Sequence, residues 1–172
     1  MCLKDFCDEA IKKFPPEIDP KTGAVLKTFC NFAVDYVAQR MGYKGFNYNG
    51  APYMADRICS VLLADWLELD GEQAHRLAAS GVLCIAAQSS AEIRAAAIRL
   101  NKPALKDARH GHIAVVYPAP RMVQSASWRK EVPLLANVGR KNGILGASQC
   151  FPAEPKYFYK PGGHPSTLGG NQ

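Results

Sequence analysis

A thiol is a nucleophile only as its thiolate, which the positive end of a helix and a neighbouring imidazole both favour. Cys30 stands where both could act. It lies in Thr28-Phe29-Cys30-Asn31-Phe32-Ala33-Val34, which predicts a helix with Thr28 as its N-cap and Gly42 as its stop. Phe29, Ala33, Tyr36 and Val37 recur at helical spacing, Val34 and Met41 widen the stripe, and Cys30 sits at its edge in the first turn. Far downstream, Gly111-His112-Ile113-Ala114-Val115-Val116-Tyr117 predicts an apolar strand that starts at a histidine. The strand would hold His112 while its ring takes a thiol proton and later returns it to a leaving amine.

Such an imidazole is usually oriented through its second nitrogen by a third group. Asn137, inside the apolar run Leu134-Leu135-Ala136-Asn137-Val138, either fills that role or prepares the turn at Gly139. Asp107, shortly before His112, is the other acceptor in view. A metal reading competes: His110 and His112 alternate along the chain and could share a face, as in a zinc hydrolase. No third ligand is evident, because His75 falls in an amphipathic helix and His164 in the tail, so no metal and no cofactor are expected.

The other five cysteines lack a comparable setting. Cys84, in Val82-Leu83-Cys84-Ile85-Ala86, and Cys59, in a helical stretch, read as small buried hydrophobes. Cys2, Cys7 and Cys150 could pair in an oxidising compartment, with no connectivity fixed, and no Cys-x-x-Cys pair supports structural zinc.

The elements that must position these groups follow in order. Helices are expected at Leu3 to Phe14, Thr28 to Gly42, Pro52 to Trp66, Glu72 to Ala79 behind Asp70, and Ser89 to Leu100. Strands are expected at Val82 to Ala87, His112 to Tyr117, Val132 to Val138 and Lys156 to Tyr159, with Ile144-Leu145-Gly146 a weaker candidate. Helices therefore come first and an antiparallel sheet follows, an α+β order within one domain over residues 1–160 and a flexible tail at 161–172. Tyr48 and Asn49, in the loop Gly45-Phe46-Asn47-Tyr48-Asn49-Gly50, and Trp128, in another loop, are the expected substrate-lining residues; Trp66 is expected in the core.

Composition sets outer bounds. The 172 residues are 48 % hydrophobic and 21 % charged, ordinary for a globular protein. No apolar run reaches the ~20 residues of a membrane span, and the charged N-terminus holds no apolar centre of a secretory signal. The formal charge of +6 favours anionic partners, but the basic residues are scattered rather than grouped as in nucleic-acid binders. An anionic polymer such as a bacterial cell wall is compatible with it.

Together, the Cys30 helix and the Gly111-His112 strand resemble the catalytic pair of NlpC/P60-type papain-like cysteine hydrolases. The resemblance is closer to small peptidoglycan amidases, including type VI secretion amidase effectors and prophage lytic enzymes. Their Asn-rich, Met-containing segment is matched by Asn47 to Asp56, and their Ala-rich helix and strand by Ala74 to Ala87. The similarity spans roughly residues 25 to 160, and Ser89 to Arg109 is longer than a minimal member needs. It implies a papain-like fold in which N-terminal helices pack on the sheet. It also implies hydrolysis of amide bonds in peptidoglycan stem peptides, with Cys30 as nucleophile, His112 as general base and Asn137 in the variable third position. The Cys30 N–H would help to hold the oxyanion. Peptidoglycan is then the partner, joined by a cognate immunity protein if the enzyme is injected into a rival cell. Such a protein would be made in the bacterial cytoplasm and act in the periplasm or wall after injection or lysis. A non-catalytic wall-binding or interaction domain is the reading from a different class.

Overall fold

A computed structural model describes residues 1–162, so His164 and nearly all of the expected tail lie outside the described residues. The helices are α1 (Leu3–Lys13), α2 (Cys30–Arg40), α3 (Ala55–Asp65), α4 (Gly71–Ala79), α5 (Ser90–Arg99) and α6 (Ala147–Cys150), with a 3-10 turn at Pro103–Leu105. Three two-stranded ribbons lie outside the main sheet: β1 (Glu17–Ile18) with β2 (Val25–Lys27), β3 (Asn47–Tyr48) with β4 (Ala51–Pro52), and β8 (Val123–Ser125) with β9 (Lys130–Val132). The main sheet holds β5 (Leu67–Leu69), β6 (Cys84–Gln88), β7 (His112–Val116), β10 (Leu134–Asn137), β11 (Gly143–Gly146) and β12 (Lys156–Tyr159). Its order is β11-β10-β7-β6-β12-β5, antiparallel throughout, and the fold is α+β as expected.

Local chemistry explains where these elements stop and start. Asp70 and Ser89 cap α4 and α5 by accepting the N–H groups of Gln73 and Glu92. Pro52 does not open a helix as expected: it pairs with Asn47 in a hairpin, and α3 begins three residues later. That hairpin turns through Asn49 and Gly50, both at positive φ (50° and 81°), which suits asparagine and glycine. The single strand expected from Val132 to Val138 is broken by Pro133, which has no N–H for a ladder. Its first part pairs with β8 and its second enters the main sheet.

The core lies between the sheet and the helices. Every residue of β6, and Ile113 to Val116 of β7, is buried, so both faces of the central strands are covered. Ile58, Leu62, Ile85, Ile113, Leu135 and Tyr157 are fully buried, each aliphatic contributing about 1.5–3 kcal/mol of transfer free energy. Trp66 joins this core, stacked on Phe46 and edge-on to Tyr43 at centroid distances of 5.5 and 5.1 Å. Helix α2 packs on β7, and α1 is tied to both. The Tyr36 hydroxyl donates to Glu9 (2.6 Å), and the Tyr117 hydroxyl, at the end of β7, donates to Asp8 (3.1 Å). The packing of α2 on β7 sets the start of one against the start of the other.

Candidate active site

Cys30 is the first residue of α2, and His112 the first of β7. Thr28 does not cap the helix as expected. Phe29 holds the N-cap position and no side chain satisfies the first N–H groups. Those donors are therefore free for other work. Cys30 is 7 % exposed, and burial alone would push its thiol up. Hydrogen bonding and charge from His112, helped by the backbone N–H groups of Ile113 and Asn31, outweigh that and hold the thiol below its ordinary value. Conversely, burial would depress the imidazole, but Cys30 and then Asn137 raise it. Each group favours the charged form of the other, as in a thiolate–imidazolium pair.

Asn137 fills the third place. His112 Nε2 lies 2.8 Å from Asn137 Oδ1, which leaves Nδ1 for the thiol. The amide is itself oriented: its Nδ2 donates to the Lys141 carbonyl at 2.6 Å, so its oxygen must face the ring. Asn137 is only 5 % exposed, and both ends of its amide are satisfied. Of the two roles the sequence left open, it fills both, since it closes β10 and its partner Lys141 lies in the turn to β11. Asp107 makes no hydrogen bond to the ring.

Several residues that spacing did not single out complete the site. The Phe151 ring packs against the imidazole, centroids 5.0 Å apart, and is itself buried. Gly139 lies over the His112–Asn137 contact, where an added Cβ would stand 3.3 Å from the ring. Asn142 ties the β10–β11 turn to α1. Its Oδ1 accepts the Gly139 N–H (3.0 Å), and its Nδ2 donates to the carbonyls of Ile11 (3.1 Å) and Phe14 (2.9 Å). On the other flank, the Asp56 carboxylate accepts the N–H groups of Ser90 (2.6 Å) and Gly111 (3.1 Å), joining α3 to the starts of α5 and β7. Gly111 itself is a close approach: a Cβ there would fall 2.6 Å from the Gln88 carbonyl oxygen. Gly139, a glycine just past a candidate asparagine, and Gly111, part of the Gly-His motif, had signals in the sequence; the others depend on contacts remote in sequence.

The remaining expected site residues lie elsewhere. Tyr48, 69 % exposed, and Asn49 form the tip of the β3–β4 hairpin. Asn47 donates to Asp35 of α2 (2.9 Å), and Asn31 donates to the Tyr53 carbonyl (3.0 Å), so the hairpin is fixed to α2. Trp128 is half-buried in the β8–β9 connection, its N–H donating to Ser125 Oγ (3.2 Å). None of these three lines the cleft that opens beside His112.

The zinc alternative meets a different donor set. His110 precedes β7 and is exposed, and both ring nitrogens of His112 are engaged, with Cys30 and with Asn137. Among the described residues no group of three or more His, Cys, Asp or Glu side chains is placed to hold a metal ion. All six cysteines are free, and burial pushes the thiols of Cys7, Cys59, Cys84 and Cys150 up to about 12, so only Cys30 is shifted toward the thiolate. No helix among the described residues is long and apolar enough to cross a membrane. No protein-family model and no curated protein sequence matches the chain.

Proposed function

We propose that this protein is a cysteine amidase or endopeptidase with a papain-like Cys-His-Asn site, acting on amide bonds of bacterial peptidoglycan stem peptides. The observation that carries the reading is the ordered chain Cys30–His112–Asn137, which begins at an uncapped helix end and finishes at a backbone carbonyl. The peptidoglycan part rests on the resemblance of the two catalytic segments and on the basic charge of +6. An injected or lytic enzyme, made in the cytoplasm and matched by an immunity protein, follows from the same resemblance.

The chemistry would run in two halves. The Cys30 thiolate attacks the amide carbon, and the oxyanion meets the Cys30 N–H, which has no acceptor within its helix. Protonated His112 gives its proton to the nitrogen, the C–N bond breaks, and the amine leaves a thioester on Cys30. His112 then takes a proton from water, whose oxygen attacks the thioester carbon and releases the acid and the Cys30 thiolate. Asn137 keeps the ring in one orientation through both halves. Digestion of purified muropeptides with the wild type and Cys30→Ala, read by mass spectrometry, tests the reading. New amine and acid products from the wild type alone support it. Equal products from both would remove the thiol from the reaction, and binding without cleavage would favour a non-catalytic wall-binding domain.

A further inference from the structure

The cleft beside His112 holds about 420 Å³, enough for one or two amino-acid residues. His112, Asn137 and Gly139 lie along one side, and Ile93, Leu105 and Phe151 supply apolar wall. Three cations stand around it: Lys102, from the segment that follows α5, and Arg140 and Lys141, from the β10–β11 turn. No aspartate or glutamate lines the cleft. Among the described residues none of the three cations is ion-paired, although five other cations of the chain are. Uncompensated like charges converging on one concavity repel each other unless an anion arrives.

Chemistry says which part of a substrate this is. The imidazole must deliver its proton to the leaving nitrogen, so the fragment on the imidazole side of the thiol is the departing amine. We propose that this cleft is a subsite for a departing amino acid that carries a free carboxylate, with Lys102, Arg140 and Lys141 as its specificity-determining cations. The inference rests on the amidase reading above. It also gives the long Ser89–Arg109 segment a use, since Ile93, Lys102 and Leu105 all come from it. A stem peptide can offer that carboxylate from a side chain or from the chain end, and guanidinium and ammonium groups accept either.

The test uses synthetic stem peptides in three forms: both leaving-side carboxylates free, the side-chain one amidated, or the terminal one amidated. Three exposed cations at a few-fold each give about a tenfold higher kcat/KM for the fully charged form than for the preferred carboxylate's amide. The amide that loses rate identifies the source. In the double variant Lys102→Glu/Arg140→Glu the preference should vanish or invert, and in the wild type it should shrink at high salt as the Debye length shortens. Equal rates for all three peptides, or a preference that survives the double variant, would overturn the subsite and leave the amidase reading standing. If the wild type cleaves none of them, the amidase reading fails. The subsite is then judged by NMR titration of Cys30→Ala with free glutamate against glutamine amide: selective shifts at Gly139 uphold it, and indifference overturns it.

Discussion

Replacing His112 with alanine should convert Cys30 from the most reactive cysteine of the chain into one of its inert ones. Burial raises the Cys30 thiol, and the histidine is the largest contribution opposing it. Without the ring, Cys30 joins Cys7, Cys59, Cys84 and Cys150, whose thiols burial pushes up to about 12. At pH 7 a thiol at the ordinary 9.0 is about 1 % ionised and one at about 12 about 0.001 %, so a change from below the ordinary value to about 12 cuts the thiolate fraction by at least about 1,000-fold. A more basic thiolate is intrinsically more nucleophilic by about threefold per pKa unit, which leaves a net loss of at least about tenfold. The assay is brief iodoacetamide labelling at pH 7, with the labelled cysteine located by peptide mass spectrometry and folding checked by circular dichroism. In the wild type Cys30 should label first among the buried cysteines; exposed Cys2 serves as the internal standard. Labelling of Cys30 within twofold of wild type in a folded His112→Ala variant would refute the reasoning, and would mean that the helix end alone holds the thiolate.

Hydrolysis should follow a bell in pH, rising as pH climbs through the lowered Cys30 value and falling as it climbs through the raised His112 value. Asn137 raises the imidazole, so Asn137→Ala should draw the alkaline limb toward lower pH and cut kcat by about 10- to 100-fold; an unmoved limb would deny Asn137 its role. Gly111→Ala forces a Cβ to within 2.6 Å of the Gln88 carbonyl and should cost about 1–3 kcal/mol in urea unfolding, where an unchanged midpoint would show that β7 gives way freely. Asn142→Ala removes two hydrogen bonds from the β10–β11 turn to the end of α1 and one within the turn, and should destabilise by about 1–3 kcal/mol while lowering kcat more than it raises KM. A KM effect alone would confine Asn142 to substrate binding.

Elements with local signals were legible in the chain. The starts of α4 and α5 followed from Asp70 and Ser89, and β12 from its run of Lys156 to Tyr159. What escaped were features set by partners remote in sequence. β5 is a three-residue edge strand ordered by pairing with β12, too short for its Leu67-Glu68-Leu69 alternation to stand out from the end of α3, and the β1–β2 ribbon is largely exposed and leaves no apolar alternation to read. The site divides the same way. Cys30, His112 and Asn137 are chemically conspicuous types at the ends of periodic segments. Phe151, Asp56 and Asn142 have ordinary identities, and only tertiary contact gives them a task.

The failed capping expectation is the most instructive of these departures. Had Thr28 capped the helix, its hydroxyl would have accepted the N–H of the second or third residue after it, that is, of Cys30 or Asn31. Those are the two donors the chemistry needs: the Asn31 N–H favours the thiolate, and the Cys30 N–H is free for an oxyanion. An N-cap contributes about 1 kcal/mol to a helix, so leaving this end open sacrifices stability of that order. The loss is offset by α2 packing on β7 and by the α1 contacts through Glu9. Local propensity lost to tertiary arrangement at the one helix end where the proposed reaction would use an unsatisfied donor, the kind of departure from local rules that a functional site produces.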